Sequence, residues 1–391
     1  MPGHLTLEVR DLAGLSDQER AQWNDWARAD PALSSPYFRV EFAQTAARCT
    51  PGSAVAVFRR DGETVGYYPH QRRGATIQPL AAPMNDYHGV VGPRATKPTL
   101  AEAAGLMQAR RFAVSAWVGE APGALIDESI LSEVPEAGYA AWYAARRRAY
   151  PKYFKDKERV RRGLDATFER VEFEVGLRDH DLLDRLIRQK SAQYLRTGRH
   201  DIFACGWTAQ VLHALMDAEG EDGFGGSLAV LRVDGRVGAM EYSLHAGRSF
   251  HMWFPAYAAE VARWAPGILL SMETIRIASE RGYREFDYGV GGGNAYKEYF
   301  SDRTAPVAEV TLRQPGLGAT LTAAGSAALD AAGAERSRRI RDSLRRRWAV
   351  IEACETRAAD RLKGAGQAGL AAVGKARGRR DSHGLGKGDR R

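Results

Sequence analysis

Cysteine is scarce in this sequence, with Cys49, Cys205 and Cys354 standing far apart among 391 residues. Their odd number and wide spacing exclude a disulfide framework and a paired-cysteine zinc motif. No apolar run approaches the roughly 18–20 residues that a membrane-spanning helix needs. The N-terminus, MPGHLTLEVRDL, has neither the basic nor the apolar region of a secretory signal, so we expect a cytoplasmic protein.

Positive charge is scarce in most of the chain, although the formal net charge is +8. Residues 335–348 carry seven arginines against two acidic residues, and residues 364–391 carry seven basic residues against two acidic ones. Each segment contributes +5, which leaves residues 1–334 at −2. A body that binds duplex or transfer RNA normally carries the basic surface itself. We therefore expect no specific nucleic-acid partner. The C-terminal extension is the part of the chain that we expect to contact any polyanion or anionic membrane surface.

Two segments of the sequence resemble each other. Residues 55–70, VAVFRRDGETVGYYPH, parallel residues 228–243, LAVLRVDGRVGAMEYS. Both place Asp-Gly between two β-rich runs, which is the strongest short-range signal for a β-hairpin. Two matched hairpins far apart in the chain predict two tandem copies of one fold.

We predict a first unit over residues 1–145, a second over 146–313, a helical extension over 314–363 and a disordered basic tail over 364–391. The order of strands and helices in the second unit predicts an α/β fold with a mixed sheet and helices on both faces. The extension is predicted to form one long helix over 335–364, with apolar positions at Ile340, Leu344, Ile351 and Leu362. The tail has eight glycines and almost no large apolar residue, so it cannot repay its ordering entropy.

The stretch FDYGVGGGNAYKEYF, residues 286–300, places four glycines in five positions. A dinucleotide-binding fingerprint needs a third glycine where Asn294 stands, and an acidic residue about 20 positions later. A phosphate-binding Walker loop needs Gly-Lys-Ser/Thr, whereas Lys297 lies between Tyr296 and Glu298. Both phosphate interpretations are weak. A plain strand-to-helix connection, in which glycine permits positive φ, is the structural alternative.

The flanks of this stretch carry a family resemblance. EFDYGVGGGNAYKEYF is similar to the strand–loop–helix signature of a GNAT-type acyltransferase family, the CelD-like or "cellulose biosynthesis" acetyltransferases, which are related to Fem-type peptidyl transferases. The resemblance covers about residues 30–312. It includes SPYF (35–38), NDYHG (85–89) and FPAYAAEVARWAPGILLSMETIRIASERGYREFDYG in the same order and spacing.

The resemblance implies two tandem GNAT-like units that use acetyl-CoA or a longer acyl-CoA, with no metal. The pantetheine of the donor is expected to pair with strand 248–255, and its pyrophosphate to sit on the helix that begins at Pro266-Gly267. The basic Q/R-x-x-G-x-G/A loop of the superfamily is reduced here to RWAPGILL, so Arg263 and Trp264 would supply a charge and a stacking face, or simply precede an ordinary capped helix. The expected donor-binding residues are Trp253, Arg263, Trp264, Pro266, Gly267, Ile268 and Leu269.

Direct acyl transfer needs a group that takes the acceptor's proton, donors for the thioester oxygen and a leaving thiolate. Asp287 ends a strand before the loop, a usual place for active-site groups, so we interpret it as a base or substrate binder, or else as a loop-bracing residue. Tyr296 and Lys297 match the resemblance and are expected to bind the acceptor or stabilise negative charge; a solvated lysine is the alternative. The cysteines lack an activating neighbour, so no covalent intermediate is expected.

Further candidates lie outside the loop. Glu241 is a raised-pKa base if it is buried, or a solvated residue if strand alternation places it outside. His251 is a second base candidate or a core histidine, and Tyr257 is a proton donor to the leaving thiolate or a packed aromatic. The turn with Asp86, Tyr87 and His88 is expected to line an acceptor cleft, or to be a plain surface turn.

The predicted activity is acyl-CoA-dependent N-acyl transfer. The resemblance points to an amino sugar, or another precursor of cell-surface polysaccharide, as the acceptor. One alternative is an aminoacyl-tRNA-dependent ligase of the Fem type. Another is a non-catalytic scaffold that docks through its basic tail on anionic lipid or a polyanion.

Overall fold

The computed structural model describes residues 3–291, 296–313, 335–364 and 366, and the side chains of residues 335–344 are not among those described. The second half of the glycine-rich loop and nearly all of the predicted disordered tail therefore lie outside the described residues. The predictions for Ile340 and Leu344 also lie outside the described side chains.

The first part of the chain begins with a strand, two helices and the predicted hairpin. Asp61 and Gly62 form the hairpin turn with φ values of 51° and 89°, which an Asp-Gly pair adopts readily. The elements are β1 (Leu5–Arg10), α1 (Asp17–Ala29), α2 (Val40–Cys49), β2 (Ser53–Arg60), β3 (Glu63–Arg73), β4 (Thr76–Pro79), α3 (Leu100–Leu106), β5 (Arg111–Trp117) and β6 (Leu125–Glu133).

The second part repeats this order after two helices. Pro151 begins α5 as predicted, because proline is preorganised for the first helical position. The elements are α4 (Tyr139–Ala149), α5 (Pro151–Thr167), β7 (Val171–Leu177), α6 (His180–Thr197), α7 (Trp207–Asp217), β8 (Gly225–Val233), β9 (Arg236–Ala246), β10 (Ser249–Tyr257), α8 (Pro266–Glu280), β11 (Glu285–Val290), α9 (Lys297–Phe300), β12 (Arg303–Arg313) and α10 (Glu335–Cys354).

The described strands form one sheet in the order β1-β2-β3-β4-β5-β12-β6-β11-β10-β9-β8-β7. The β4–β5 and β10–β11 pairs are parallel and the other pairs are antiparallel, which confirms the predicted mixed sheet. β6 precedes residue 145 in sequence, yet it pairs with both β11 and β12. The two predicted units are thus joined edge to edge through β12 and β6, and the division near residue 145 stays a prediction.

Helices cover both faces of the sheet, as predicted. One buried cluster joins α2, α6 and α7, with Phe42, Leu183 and Leu212 among its members. A second cluster joins α4, α5 and α8 and includes Trp142 and Leu270. Each fully buried side chain of this size contributes roughly 1.5–3 kcal/mol, so these two layers fix the strands between them.

The C-terminal helix does not run unbroken to residue 364. α10 ends at Cys354, residues 355–357 are not helical, and residues 358–364 are helical again. The side chain of Ile351 is buried as its apolar character predicts, whereas Leu362 is exposed. The break follows directly on the last turn of α10, and we call residues 351–355 the C-terminal anchor.

The C-terminal anchor contacts strands β3, β4 and β5 of the first part and helix α7 of the second. Glu352 pairs with Arg111 and accepts a hydrogen bond from the Thr76 hydroxyl at 2.9 Å. The Ala353 carbonyl accepts from Arg73 Nε at 3.1 Å, and the Cys354 carbonyl accepts from Trp207 Nε1 at 3.0 Å. The carbonyls at the end of α10 are therefore satisfied by other elements, which explains why the helix stops there.

Within the described ranges, the structure contains no helix with the length and apolar character needed to cross a membrane.

Candidate active site

Strands β10 and β11 separate after a short parallel contact. They pair only at Ser249–Glu285, Phe250–Phe286 and His251–Asp287. β10 then shifts its register on β9 between Met252 and Phe254, and no described strand pairs with its other edge beyond His251. The sheet therefore contains a fork, and His251 and Asp287 stand at its apex.

At this apex His251 lies between two carboxylates. Its Nε2 is 3.1 Å from Asp86 Oδ2, and its Nδ1 is 3.2 Å from Asp287 Oδ2. Asp287 Oδ1 accepts hydrogen bonds from the Tyr87 hydroxyl and the Gly289 N–H, both at 2.7 Å. We call Asp86, Tyr87, His251 and Asp287 the carboxylate–histidine cluster. It joins the NDYHG turn of the first unit to two strands of the second.

Local sequence explains how the first unit presents its members of the cluster. Asn85 anchors the turn: its amide donates to the Leu80 carbonyl at 3.3 Å, and its side-chain oxygen accepts from the Tyr87 N–H at 3.1 Å. His88 then forms a β-bridge with Trp117. This turn directs Asp86 and Tyr87 toward the fork, so it is not a plain surface turn.

The charge state of the cluster follows from burial and proximity. Burial lowers the pKa of His251, but the adjoining Asp287 and Asp86 outweigh it and raise that pKa to about 9. Burial, reinforced by the same two carboxylates, raises the pKa of Tyr87 well above its ordinary value. At neutral pH the cluster thus holds an imidazolium between two carboxylates and a neutral phenol that donates to Asp287.

Glu241 forms a second buried acidic position, on β9. It is 3% exposed, its Oε2 accepts a 3.4 Å hydrogen bond from Ser271 of α8, and its Oε1 has no hydrogen-bond partner among the described residues. Burial raises the pKa of Glu241 to about 7, although Ser271 and the positive charge of His251 oppose the rise. Glu241 is therefore buried rather than solvated, and it titrates near neutral pH.

Replacing Glu241 with glutamine should raise the melting temperature at pH 8. The carboxylate is costly to bury, and this cost grows as pH rises from 4.5, the ordinary pKa, to about 7. Glutamine removes a cost of roughly 3 kcal/mol and keeps a partner for Ser271. Melting curves of both proteins should differ at pH 8 and converge near pH 4. A variant that is less stable at pH 8 would contradict a buried, unpaired carboxylate.

Tyr296 and Lys297 lie at the rim of the fork. Lys297 Nζ donates to the Tyr288 carbonyl at 2.7 Å. Burial lowers the pKa of Lys297, and the charges of Asp86 and Asp287 oppose the change. Burial and the charge of Glu241 raise the pKa of Tyr296 to about 12. Lys297 is thus a half-buried cation within the field of the cluster and not a solvated surface lysine.

A cavity of about 650 Å³ lies between the first-unit loops and strands β6 and β12. Asp287 and Tyr87 form part of its wall, next to apolar side chains such as Phe38 and Trp117. Charged groups also line it, including Asp30, which pairs with Arg94 at 2.8 Å and with Lys97 at 3.7 Å. Its lining comes from distant parts of the sequence, so no local motif could have revealed it.

Two predicted site residues lie apart from the cluster. His88 is buried in the first unit, with Nε2 3.5 Å from the Ser115 hydroxyl, and burial lowers its pKa to about 3. Tyr257 is 59% exposed at the end of β10, six residues beyond His251, or about 20 Å along an extended strand. The role of His88 in acceptor binding and the role of Tyr257 both stay predictions.

The predicted donor-binding residues surround the start of α8. Trp264 is 8% exposed, the Arg263 guanidinium lies 3.8 Å from its ring centre, and Phe168 packs against it at 5.0 Å. Trp264 is therefore buried, and its stacking role stays a prediction. Trp253 instead stands at the fork, packed against Tyr37 with ring centres 5.4 Å apart.

The first turn of α8 is open to a ligand. Pro266 has no N–H, and the N–H groups of Ile268 and Leu269 both donate to the Ala265 carbonyl, at 3.0 and 3.2 Å. Among the described residues, the Gly267 N–H has no partner, and a Cβ added at Gly267 would meet nothing within 4 Å. An anion could thus approach this helix end closely.

Sequence comparison assigns the region that contains this fork to a known domain family. Residues 139–298 match the family model of the acetyltransferase (GNAT) domain, which spans Glu241, His251, Asp287 and α8. The protein carries a GNAT-type acetyltransferase domain. No curated protein matches the sequence significantly.

Solved structures resemble this protein in fold over most of its length. FemX is 11% identical with a TM-score of 0.50, over 77% of this chain and 95% of that one. A tandem GNAT protein from the clavulanic acid biosynthesis pathway is 10% identical with a TM-score of 0.46, over 80% and 100% of the two chains. A GCN5-related N-acetyltransferase from Sphaerobacter thermophilus is 12% identical with a TM-score of 0.41, over 80% and 97%. At 11% identity, the likeness to FemX supports the fold of this protein and not its activity.

Proposed function

We propose that this acyltransferase moves an acyl group from acyl-CoA to an amine or hydroxyl of an acceptor bound in the 650 Å³ cavity. The observation that carries the proposal is the placement of Asp287. It stands at the apex of the fork, where a donor would end, and it also lines the cavity, where an acceptor would lie.

The free edge of β10 supplies the donor site. Its unpaired peptide groups beyond His251 can form strand-like hydrogen bonds with the amides of pantetheine. The pyrophosphate would then approach the start of α8, where the Gly267 N–H and the helix dipole favour an anion. Arg263 stands three residues before Pro266 and adds a positive charge.

The carboxylate–histidine cluster can take up the acceptor's proton. Two carboxylates and one imidazolium give the cluster a net charge of −1, so one added proton brings it to neutrality. The acceptor nitrogen or oxygen would form its bond to the thioester carbon as its proton moves to Asp287, and the carbon–sulfur bond would then break to release the CoA thiolate. Tyr296 and Lys297 at the rim would stabilise the negative charge that develops.

The acceptor is proposed to be an amino sugar or another precursor of cell-surface polysaccharide. This part rests on the resemblance to CelD-like acetyltransferases and on a cavity whose walls mix apolar, aromatic and charged groups. Such walls suit a molecule with both polar edges and apolar faces. The basic C-terminal extension is proposed to contact a polyanion or an anionic membrane surface.

A second candidate donor is aminoacyl-tRNA, and one observation favours it. Lys152, Lys155, Arg159 and Arg162 follow each other at helical spacing along the exposed face of α5. The acidic average of residues 1–334 therefore conceals a local basic stripe. A stripe of this kind attracts phosphate backbones, and loss of activity after RNase treatment would support this donor.

The donor proposal predicts that acetyl-CoA, or a longer acyl-CoA, raises the melting temperature. A ligand that binds only the native state at 100 times its Kd stabilises it by about 2.7 kcal/mol. Thermal-shift measurements should include ATP as a control that shares only the adenine nucleotide. If no acyl-CoA shifts the transition at millimolar concentration, the proposed donor is wrong.

A further inference from the structure

Two histidines face each other on the outer side of α6 and α7. His180 Nδ1 lies 2.7 Å from His213 Nδ1, and the rings meet edge to edge, with planes 13° apart and centres 5.0 Å apart. Both side chains are partly exposed. The pair lies outside the fork and the cavity, and neither contributes to the steps proposed above.

Each histidine is followed four residues later by an aspartate, and the two helices exchange these aspartates. His180 Nε2 is 2.8 Å from Asp217 Oδ1, and His213 Nε2 is 3.1 Å from Asp184 Oδ1. Asp184 lies on α6 with His180, and Asp217 lies on α7 with His213. The arrangement is thus reciprocal, with each imidazole held by the carboxylate of the other helix.

The aspartates decide where the ring protons lie. Because a carboxylate only accepts hydrogen bonds, each Nε2 that contacts one carries a proton. In the neutral tautomers, the two Nδ1 atoms then direct lone pairs at each other across 2.7 Å. Two lone pairs at this distance repel, so a positive centre between them, either a proton or a metal ion, is needed to hold the pair.

We propose that His180 and His213 bind one divalent transition-metal ion of the Zn²⁺ class through their Nδ1 atoms. Imidazole nitrogen suits such ions, and a carboxylate on the other ring nitrogen is the usual support of a metal-bound histidine. Tetrahedral Zn–N bonds of about 2.0–2.1 Å place two nitrogens about 3.3 Å apart, so the partly exposed rings need to open slightly. Water would complete the coordination.

The number of protein ligands sets the expected metal affinity of the site. Among the described residues, no group of three or more His, Cys, Asp or Glu side chains is placed to hold a metal. Two imidazoles with outer carboxylates therefore make a site of moderate affinity, which joins the start of α6 to the end of α7. Because Leu183 of α6 and Leu212 of α7 belong to the same buried cluster, an ion here would fasten that helix pair on its solvent side.

The test uses the full chain without a histidine tag, stripped of metal with a chelator that is then removed. Titration with ZnCl₂ should show one bound ion by calorimetry and a higher melting temperature, with MgCl₂ as a negative control. His180→Ala and His213→Ala should each abolish both effects, whereas His4→Ala, which changes an exposed histidine elsewhere, should retain them. Asp184→Asn or Asp217→Asn should weaken binding by about 10–100-fold.

Two results would overturn the proposal. If millimolar Zn²⁺ neither binds nor shifts the transition, the pair shares only a proton. If binding persists unchanged in the His180→Ala/His213→Ala double variant, the ion is held elsewhere. Far-ultraviolet circular dichroism of each variant separates loss of the site from loss of the fold. Binding that weakens from pH 8 to pH 5 would support imidazole ligands, since protons compete for them.

Discussion

Replacing Asp287 with asparagine should reduce acyl transfer by about 10²–10⁴-fold while the protein stays folded. This is the range that loss of a positioned acid or base typically produces. Asparagine keeps an oxygen that can accept from Tyr87 and from the Gly289 N–H, so the contacts that hold the turn persist. It removes the negative charge, and with it the cluster's capacity to take up a proton.

The measurement is the release of free CoA thiol from acetyl-CoA in the presence of a panel of amino sugars, with melting curves recorded alongside. Asp165→Asn is the matched control, because it makes the same chemical change on the exposed surface of α5. Full activity of Asp287→Asn would remove this carboxylate from the mechanism. Because donor binding is measured separately by thermal shift, a variant that binds acyl-CoA but does not transfer identifies a defect in the chemical step.

Replacing Glu352 with alanine should lower the free energy of unfolding by about 3 kcal/mol. The carboxylate is buried, and its removal leaves Arg111 without its partner and Thr76 without an acceptor. Breaking a buried ion pair from one side typically costs about 3–5 kcal/mol, because the remaining charge is uncompensated. We take the lower end, since Arg111 is partly exposed.

Urea unfolding of the full chain measures this effect, with Asp360→Ala as an exposed control in the same extension. Glu352→Gln should fall between the two, because the amide still accepts from Thr76 but carries no charge. A Glu352→Ala protein as stable as its parent would show that the C-terminal anchor contributes little to the fold. Activity should fall along with stability, because the anchor ties strands β3, β4 and β5 to helix α7.

Local sequence patterns predicted most elements of this fold. The Asp-Gly pairs located both hairpins, and Pro151 and Pro266 began helices as expected. Strand β6 was missed because LIDESILSE does not alternate apolar and polar residues as a half-buried strand does. Only its last four residues before Glu133 are buried, where β11 and β12 flank it, so its identity depends on partners far away in the sequence.

The candidate site was predictable in part. Asp287, Glu241 and His251 were identified by their residue type and their place on strands, and each is buried near the fork. The contacts between them could not be deduced, because Tyr87 and Asp287 are 200 residues apart. The burial of Trp264 could not be deduced either, since the pattern RWAPG gives no sign that Phe168 and Arg263 pack against the ring.

The position of β6 bears on how the chain folds. Among the described residues, 125–133 pair with 285–290 and 303–313, so these strand pairs close loops of well over a hundred residues. Contacts of such sequence separation slow folding, and on a ribosome β6 would remain without either neighbour until more than two thirds of the chain had been synthesised. An unpaired strand invites association with other chains in the meantime. The acidic residues Asp127, Glu128 and Glu133 of β6 oppose that association, because charged side chains disfavour pairing between exposed strands. This protection accounts for the charged residues in a strand whose β pattern is weak.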